Sequence, residues 1–575
     1  MTEASATLSR KPARPLAAAT IAALRACANQ YGSEPAARKA ALLRECAARA
    51  LIDPDALLAY HDCLLFLLAY PESADLHATA RRELARVAGT ARIMIEDGSA
   101  RTRARLANSG VAWAPMTIAL GHDIARWLVT SYPRNGEIDS FDDAGASLPE
   151  LLRHALPPME FELLAADDVA SEDFLAQASE GHRGTRLSWL VAQFARLPCT
   201  EGLREQLFDS LNAYITINPG ATALSRTFVR GLATRTFFHR SPLQRVVDPL
   251  AMLAEPLAPP RALSPAERLL LLDAGRAMLA SLGRETDAIA AAATGGIEYH
   301  TLGSGVAIAL YTMVPGRRLP LDSHVGFMLF KNAIPVGYGG GWPFLGTAKI
   351  GVNIFAPFRG GESAFLFCQV LRVYGQRFGV EHFIAEPSQF GGGNREGLES
   401  GAFWFYYRLG FRPVAPALAK LAAHEFERMR REPRYRAPLS VLRRFTKSDI
   451  ELRVKIGQGP PACDPADLSL AVSAWIATCF RGDRAKASAL ALQAVTRALG
   501  VRGISRWPED ERAAFQSFCL LLAQIPDLAR WPARDKTRVI ALARAKGGDE
   551  FRYFDLLRNH ARLHTALRAI SERIA

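Results

Sequence analysis

Apolar and polar positions along this chain follow two different rhythms. Over residues 15–260 the apolar positions return at three- and four-residue spacing. Residues 36–51 are rich in Ala, Leu and Arg, residues 61–70 form a short apolar run, and residues 78–87 mix apolar positions with Arg and Glu. That spacing predicts amphipathic helices. Alternation of period two is almost absent, and Pro133-Arg134-Asn135-Gly136 and Pro157-Pro158 punctuate the segment. Residues 254–264, with Pro256, Pro259 and Pro260, read as a linker.

The rhythm then changes. Ser264 and Pro265 have the chemistry of an N-cap and first residue of a helix reaching about Leu282. Residues 297–302, 306–313, 324–331, 335–340 and 349–355 read as strands, with turns at Asn332 and at Gly339-Gly340-Gly341. The last of these alternates Ile350, Val352 and Ile354 against Gly351, Asn353 and Phe355, which predicts one strongly apolar face. After a helix over 415–431 and a strand near 439–445, the helical rhythm returns from about Pro460 to the end. The expected organisation is a helical region over 1–260, an α/β (α+β) domain with a mixed sheet and flanking helices over 261–456, and a second helical region over 457–575.

Composition changes this picture little. The 575 residues are 49% hydrophobic and 22% charged, as expected of packed cores. The net charge of +13 is spread along the chain and comes mainly from Arg, so a dedicated nucleic-acid surface is disfavoured. The eight cysteines form no C-x-x-C pair and no metal-ligand spacing with His, so reduced, buried cysteines and no metal are expected. Arg10, Lys11 and Arg14 precede only a short apolar run, unlike a signal peptide, and no segment has the roughly 18 apolar residues of a membrane span. A cytoplasmic location is expected.

Candidate chemistry concentrates in residues 349–413. A strand ending near Phe358 is followed by Arg359-Gly360-Gly361-Glu362-Ser363 and then by a helix to about Phe378, which Gly379 can close in the left-handed conformation. The first turn of that helix offers unpaired N–H groups and partial positive charge, the two glycines allow close approach, and Arg359 adds a full charge. Another strand follows over 380–385. Farther on, Phe403-Trp404-Phe405-Tyr406-Tyr407-Arg408-Leu409-Gly410-Phe411 reads as a short helix with Ser400 as N-cap and Gly410 as its stop.

This last segment resembles the F-Y-x-x-x-G-F signature of the GNAT (acyl-CoA N-acyltransferase) superfamily. The Arg359 turn stands where that superfamily has its pyrophosphate loop, and the order of strand, loop, helix, strand and signature helix also fits. The resemblance covers about a third of the chain. It implies a sheet that splays beside the loop, with acyl-CoA as co-substrate on Arg359, Gly360, Gly361, Glu362 and Ser363, and an amine on a small molecule or peptide as acceptor. It also implies Tyr406 as the acid for the leaving thiolate. Glu362 departs from the pattern, standing where the family prefers glycine, and a carboxylate there repels a pyrophosphate unless it is turned away. The strand over 349–355 contains no carboxylate to act as base. Glu386, just past the next strand, is the expected base, with Asp322 and His324 as further candidates. Asn394, in the glycine-rich loop 387–396, is expected to border the acceptor.

Two alternatives accompany this reading. One is a GNAT-like scaffold without activity, whose helical regions bind a protein partner. The other is aminoacyl transfer from tRNA, disfavoured because such enzymes usually carry two of these domains and a single signature is visible.

Overall fold

The computed structural model describes residues 14–142, 144–164, 169–454 and 463–573. Arg10, Lys11 and the boundary near residue 456 lie outside them. Among the described residues no helix is long and apolar enough to cross a membrane.

The strands are β1 (Met116–Ala119), β2 (Gly136–Phe141), β3 (Ala213–Ile217), β4 (Ala292–Thr301), β5 (Val306–Met313), β6 (Val325–Lys331), β7 (Ile334–Phe344), β8 (Thr347–Ile354), β9 (His382–Ala385), β10 (Arg412–Pro413) and β11 (Ile450–Arg453). Eight of them make a mixed sheet in the order β10-β11-β9-β8-β7-β6-β5-β4. From β4 to β8 the strands are antiparallel neighbours. β6 turns into β7 at Asn332 and Ala333, and β7 into β8 at Leu345 and Gly346, all four at positive φ, as two-residue hairpins of right-handed strands require. β8 and β9 are parallel, so the chain must cross over between them, and helix Ser363–Phe378 makes that crossing. Gly379 ends the helix at φ 71°.

Several expectations change here. The segment before residue 260 is not wholly helical. β1, β3 and β2 form a separate antiparallel sheet, in which Ala213, Ile215 and Ile217 are buried and Tyr214 is exposed. The run Gly339-Gly340-Gly341 is not a turn but the middle of β7. A Cβ on Gly339 would stand 2.1 Å from the Gly351 carbonyl oxygen of β8, and one on Gly341 would stand 2.8 Å from the Tyr374 ring. Residues 439–445 are a helix (Leu439–Phe445), not a strand. Phe445 stacks on Phe403 at 4.0 Å, and the last strand is the shorter β11, with Ile450 and Leu452 buried. Ser400 ends helix Arg395–Glu399, and the left-handed Gly401 starts helix Ala402–Arg408. Ser264 and Pro265 do open helix Pro265–Ala280, with Glu267 completing a capping box.

The helical regions are bonded to the turns and helix around the central sheet. From the N-terminal side, the Asn332 amide donates to Ala69 O at 2.8 Å and the Trp127 indole to Asp273 at 2.7 Å. On the C-terminal side, the buried Lys546 donates to Ser323 and Glu550, and Arg318 lies 3.2 Å from Glu550. One continuous hydrophobic core runs through all three regions.

Candidate functional site

β8 and β9 pair only over Thr347–Lys349 and His382–Ile384. Beyond Lys349 they part, and the β8 edge from Gly351 to Ile354 opens into a cleft of about 610 Å³. The cleft crosses β7 and β8. One wall is the start of helix Ser363–Phe378 with helices Arg395–Glu399 and Ala402–Arg408, and the other is Glu285, Thr286, His324 and Trp342.

The loop Arg359–Ser363 divides its residues between the cleft and the core. Arg359 and Ser363 line the cleft. No side chain caps the helix that follows, so its first N–H groups remain available there. Gly360 O accepts a hydrogen bond from the Asn29 amide at 3.4 Å, and a Cβ on Gly361 would press on the Tyr70 ring at 3.2 Å, so the N-terminal helices back this turn. Glu362 does not join the cleft wall. It is only 3% exposed, accepts from Lys331 Nζ at 2.8 Å and takes the Gln244 N–H at 3.0 Å. An ion pair this deep is destabilised strongly by loss of either partner.

Arg359 is held at both ends. Its Nε donates to Ile354 O at 3.0 Å, and its Nη1 lies 2.6 Å from Glu396. Arg284 approaches the same carboxylate at 3.8 Å. The Arg359 guanidinium holds Glu396 below the usual carboxylate range. Asn394 lines the cleft but spends its side chain on the loop: Oδ1 caps Gly397 N–H at 2.9 Å and Nδ2 donates to Ser388 O at 3.0 Å. A Cβ on Gly351 would stand 2.1 Å from Gln389 Oε1, so only glycine admits the Gln389 side chain against β8.

Tyr406 reaches the cleft from helix Ala402–Arg408. Its ring meets Phe367 and Phe411 edge-on at 5.5 and 5.4 Å, and it is 2% exposed, with its hydroxyl at the Val352 N–H of β8. Burial pushes that phenol above its ordinary value. Glu386 lies outside the cleft wall, half-exposed in an ion pair with Lys349 at 3.1 Å. Asp322 is also outside it, and its carbonyl accepts from Lys546. His324 lines the cleft, stacked on Trp342 at 4.1 Å, and burial lowers it to about 4, so it is neutral at pH 7.

The opposite wall holds a carboxylate that sequence reasoning missed. Glu285 faces the cleft and takes the Gly121 N–H at 2.9 Å. Burial raises it to about 7, and Asp209, Asp123 and Asp287 push the same way. Behind it, a Cβ on Gly121 would touch Glu205, Asp209 and Glu285 together, so glycine is what lets three carboxylates converge. Glu205 is raised to about 8, by burial first and Asp123 next. Nothing in Gly283-Arg284-Glu285-Thr286-Asp287 announces this, because the neighbours come from residues 121, 123 and 209. Among the described residues, His122, Asp123 and Glu205 bring potential ligand atoms within 4.8 Å of one another. Arg317 Nη1 already stands between the two carboxylates, at 3.0 and 3.2 Å, and supplies the positive charge there.

Comparisons with protein-family models, with curated proteins and with solved structures find no match to this chain.

Proposed function

We propose that the chain is a GNAT-type acyltransferase that moves an acyl group from acyl-CoA to a primary amine. The observation that carries this reading is the parting of β8 and β9, which opens the β8 edge beside an uncapped helix start, with Arg359 and Ser363 at one end of the cleft and Tyr406 on its wall. The opened edge suits the amide-bearing arm of coenzyme A, which would share it with Arg359 on Ile354 O and Tyr406 at Val352 N–H, and the helix start suits its pyrophosphate. The departure at Glu362 also loses its force, because that carboxylate is turned into the core onto Lys331.

Glu285 supplies the missing base. An amine arrives as an ammonium and must lose a proton before it attacks, and a carboxylate raised to about 7 takes protons near neutral pH. The amine nitrogen then bonds to the thioester carbonyl carbon, the C–S bond breaks, Tyr406 gives its proton to the departing sulfur, and the second proton that the nitrogen sheds in becoming an amide returns to the Tyr406 oxygen through water. Glu386, in its ion pair outside the wall, has no part in this scheme.

The test is calorimetric titration of the full chain with acetyl-CoA and coenzyme A, beside Arg359→Gln and Ser363→Asp variants. An acidic residue is tolerated at a helix start, so Ser363→Asp keeps the fold while repelling phosphate. Saturable binding weakened by about tenfold or more in both variants is expected. No saturable binding to the folded wild type would overturn the acyltransferase reading and leave the scaffold alternative.

A further inference from the structure

A second cavity, of about 520 Å³, lies at the far end of the same sheet, on edge strand β4 and its neighbour β5 rather than on β7 and β8. Its roof is the irregular segment 231–240. That strap is pinned at three points: Gly231 N–H donates to Ala333 O at 2.8 Å, Phe237 N–H to Asn332 Oδ1 at 2.7 Å, and His239 N–H to Pro71 O at 2.8 Å. Between and beyond the pins, Arg235 and Arg240 line the cavity, together with Phe237 and Phe238.

Three features of the wall point to a ligand. It contains two arginines and no Asp or Glu, and neither arginine has a carboxylate partner among the described residues. Tyr299, on the floor, is fully buried, and its hydroxyl has no hydrogen-bond partner. A buried hydroxyl left unpaired is costly, and a ligand oxygen that reached it would remove that cost. Phe237 stands at the rim, 39% exposed, and offers its ring to the cavity. Guanidinium groups and a phenol suit a phosphate or carboxylate, the aromatic rings suit a flat apolar body, and the volume suits a small molecule.

We propose that this cavity is a second ligand site, separate from the cleft, that takes an anionic group carried on a flat apolar ring. Phosphate and carboxylate share the required chemistry, so the experiment separates them. The full-length chain is titrated calorimetrically with phenyl phosphate, with benzoate, and with benzyl alcohol as a neutral isostere. The same titrations are run on an Arg235→Gln/Arg240→Gln variant, on Tyr299→Phe and on the cleft variant Arg359→Gln. The expected result is one-site binding of at least one anion, about tenfold weaker for the alcohol, lost about tenfold in the double arginine variant and about threefold in Tyr299→Phe, and unchanged in Arg359→Gln. The better-bound anion names the source. Because both arginines are exposed, their variant keeps the fold. Tyr299→Phe also raises the unfolding temperature of the free protein, which separates weaker binding from a damaged fold. The proposal is overturned if neither anion binds saturably, if the alcohol binds as well, if the double variant binds like wild type, or if Arg359→Gln abolishes the signal.

Discussion

Two glutamates line one cleft and are tuned in opposite directions. Glu396 is exposed between Arg359 and Arg284 and is held below the usual carboxylate range. Glu285 is set into the other wall with Asp209, Asp123 and Asp287 around it and a single backbone N–H on its oxygen, and it rises to about 7. The same side chain is therefore a fixed anion at one end and a proton acceptor at the other, and the cause is which charges surround it and how much water remains. Under the acyltransferase reading the two ends divide the reaction. Arginine and helix start face the phosphates, while the carboxylate end faces the ammonium. In the present geometry Glu396 occupies the Arg359 position that a phosphate would take, so binding must displace it.

The largest test of this contrast is Glu285→Gln. Amine-dependent turnover is expected to fall about 10²–10³-fold, the range of a lost general base, and the rise of kcat/KM through pH 7 should disappear. A variant with wild-type turnover and pH profile would remove Glu285 from the chemistry.

Tyr406→Phe should lower turnover about tenfold while changing the stability of the fold by no more than about 1 kcal/mol, since only the hydroxyl at the Val352 N–H is removed. Single-turnover kinetics and denaturant unfolding on the same preparation read the two effects. A loss of both activity and stability would make this tyrosine a packing residue.

Glu396→Gln should tighten coenzyme A about threefold by freeing Arg359, and the gain should shrink as salt is raised, because the pair is solvent-exposed. Equal affinity at low salt would mean that the two groups do not compete.

The smallest effect concerns stability. Glu205 is raised to about 8 when folded, so its proton is held more tightly in the folded chain than in the unfolded one. The stability tied to that proton is complete below the unfolded value near 4.5 and is lost as pH rises through about 8. Glu205→Gln should therefore flatten the decline of the unfolding temperature between about pH 5 and 8. An unchanged slope would assign that decline to other groups.

Local chemistry settled much of the architecture from the sequence alone. Ser264 with Glu267 starts a helix, Gly379 and Gly410 end two others, and the alternation through Ile350, Val352 and Ile354 marks β8. Each of these rests on neighbours a few residues away. β3 carries only a short alternating run, Tyr214-Ile215-Thr216-Ile217, among segments of helical spacing. The glycine run in β7 is ambiguous by sequence, because glycine marks both turns and close backbone approach, and only the neighbouring strand distinguishes them. Residues 439–445 carry an apolar pattern compatible with either structure, and stacking on Phe403 accompanies the helix.

Tertiary structure alone decided the rest. Glu362 and Glu396 are both glutamates beside glycine-rich turns, yet Lys331 draws one into the core and Arg359 keeps the other at the cleft. Glu285 gains its proton affinity from Gly121, Asp123 and Asp209, more than 70 residues away in sequence. A side chain's type and spacing are fixed by the chain, but its solvation and its charged neighbours are fixed only when distant segments pack together, and those determine what it can do.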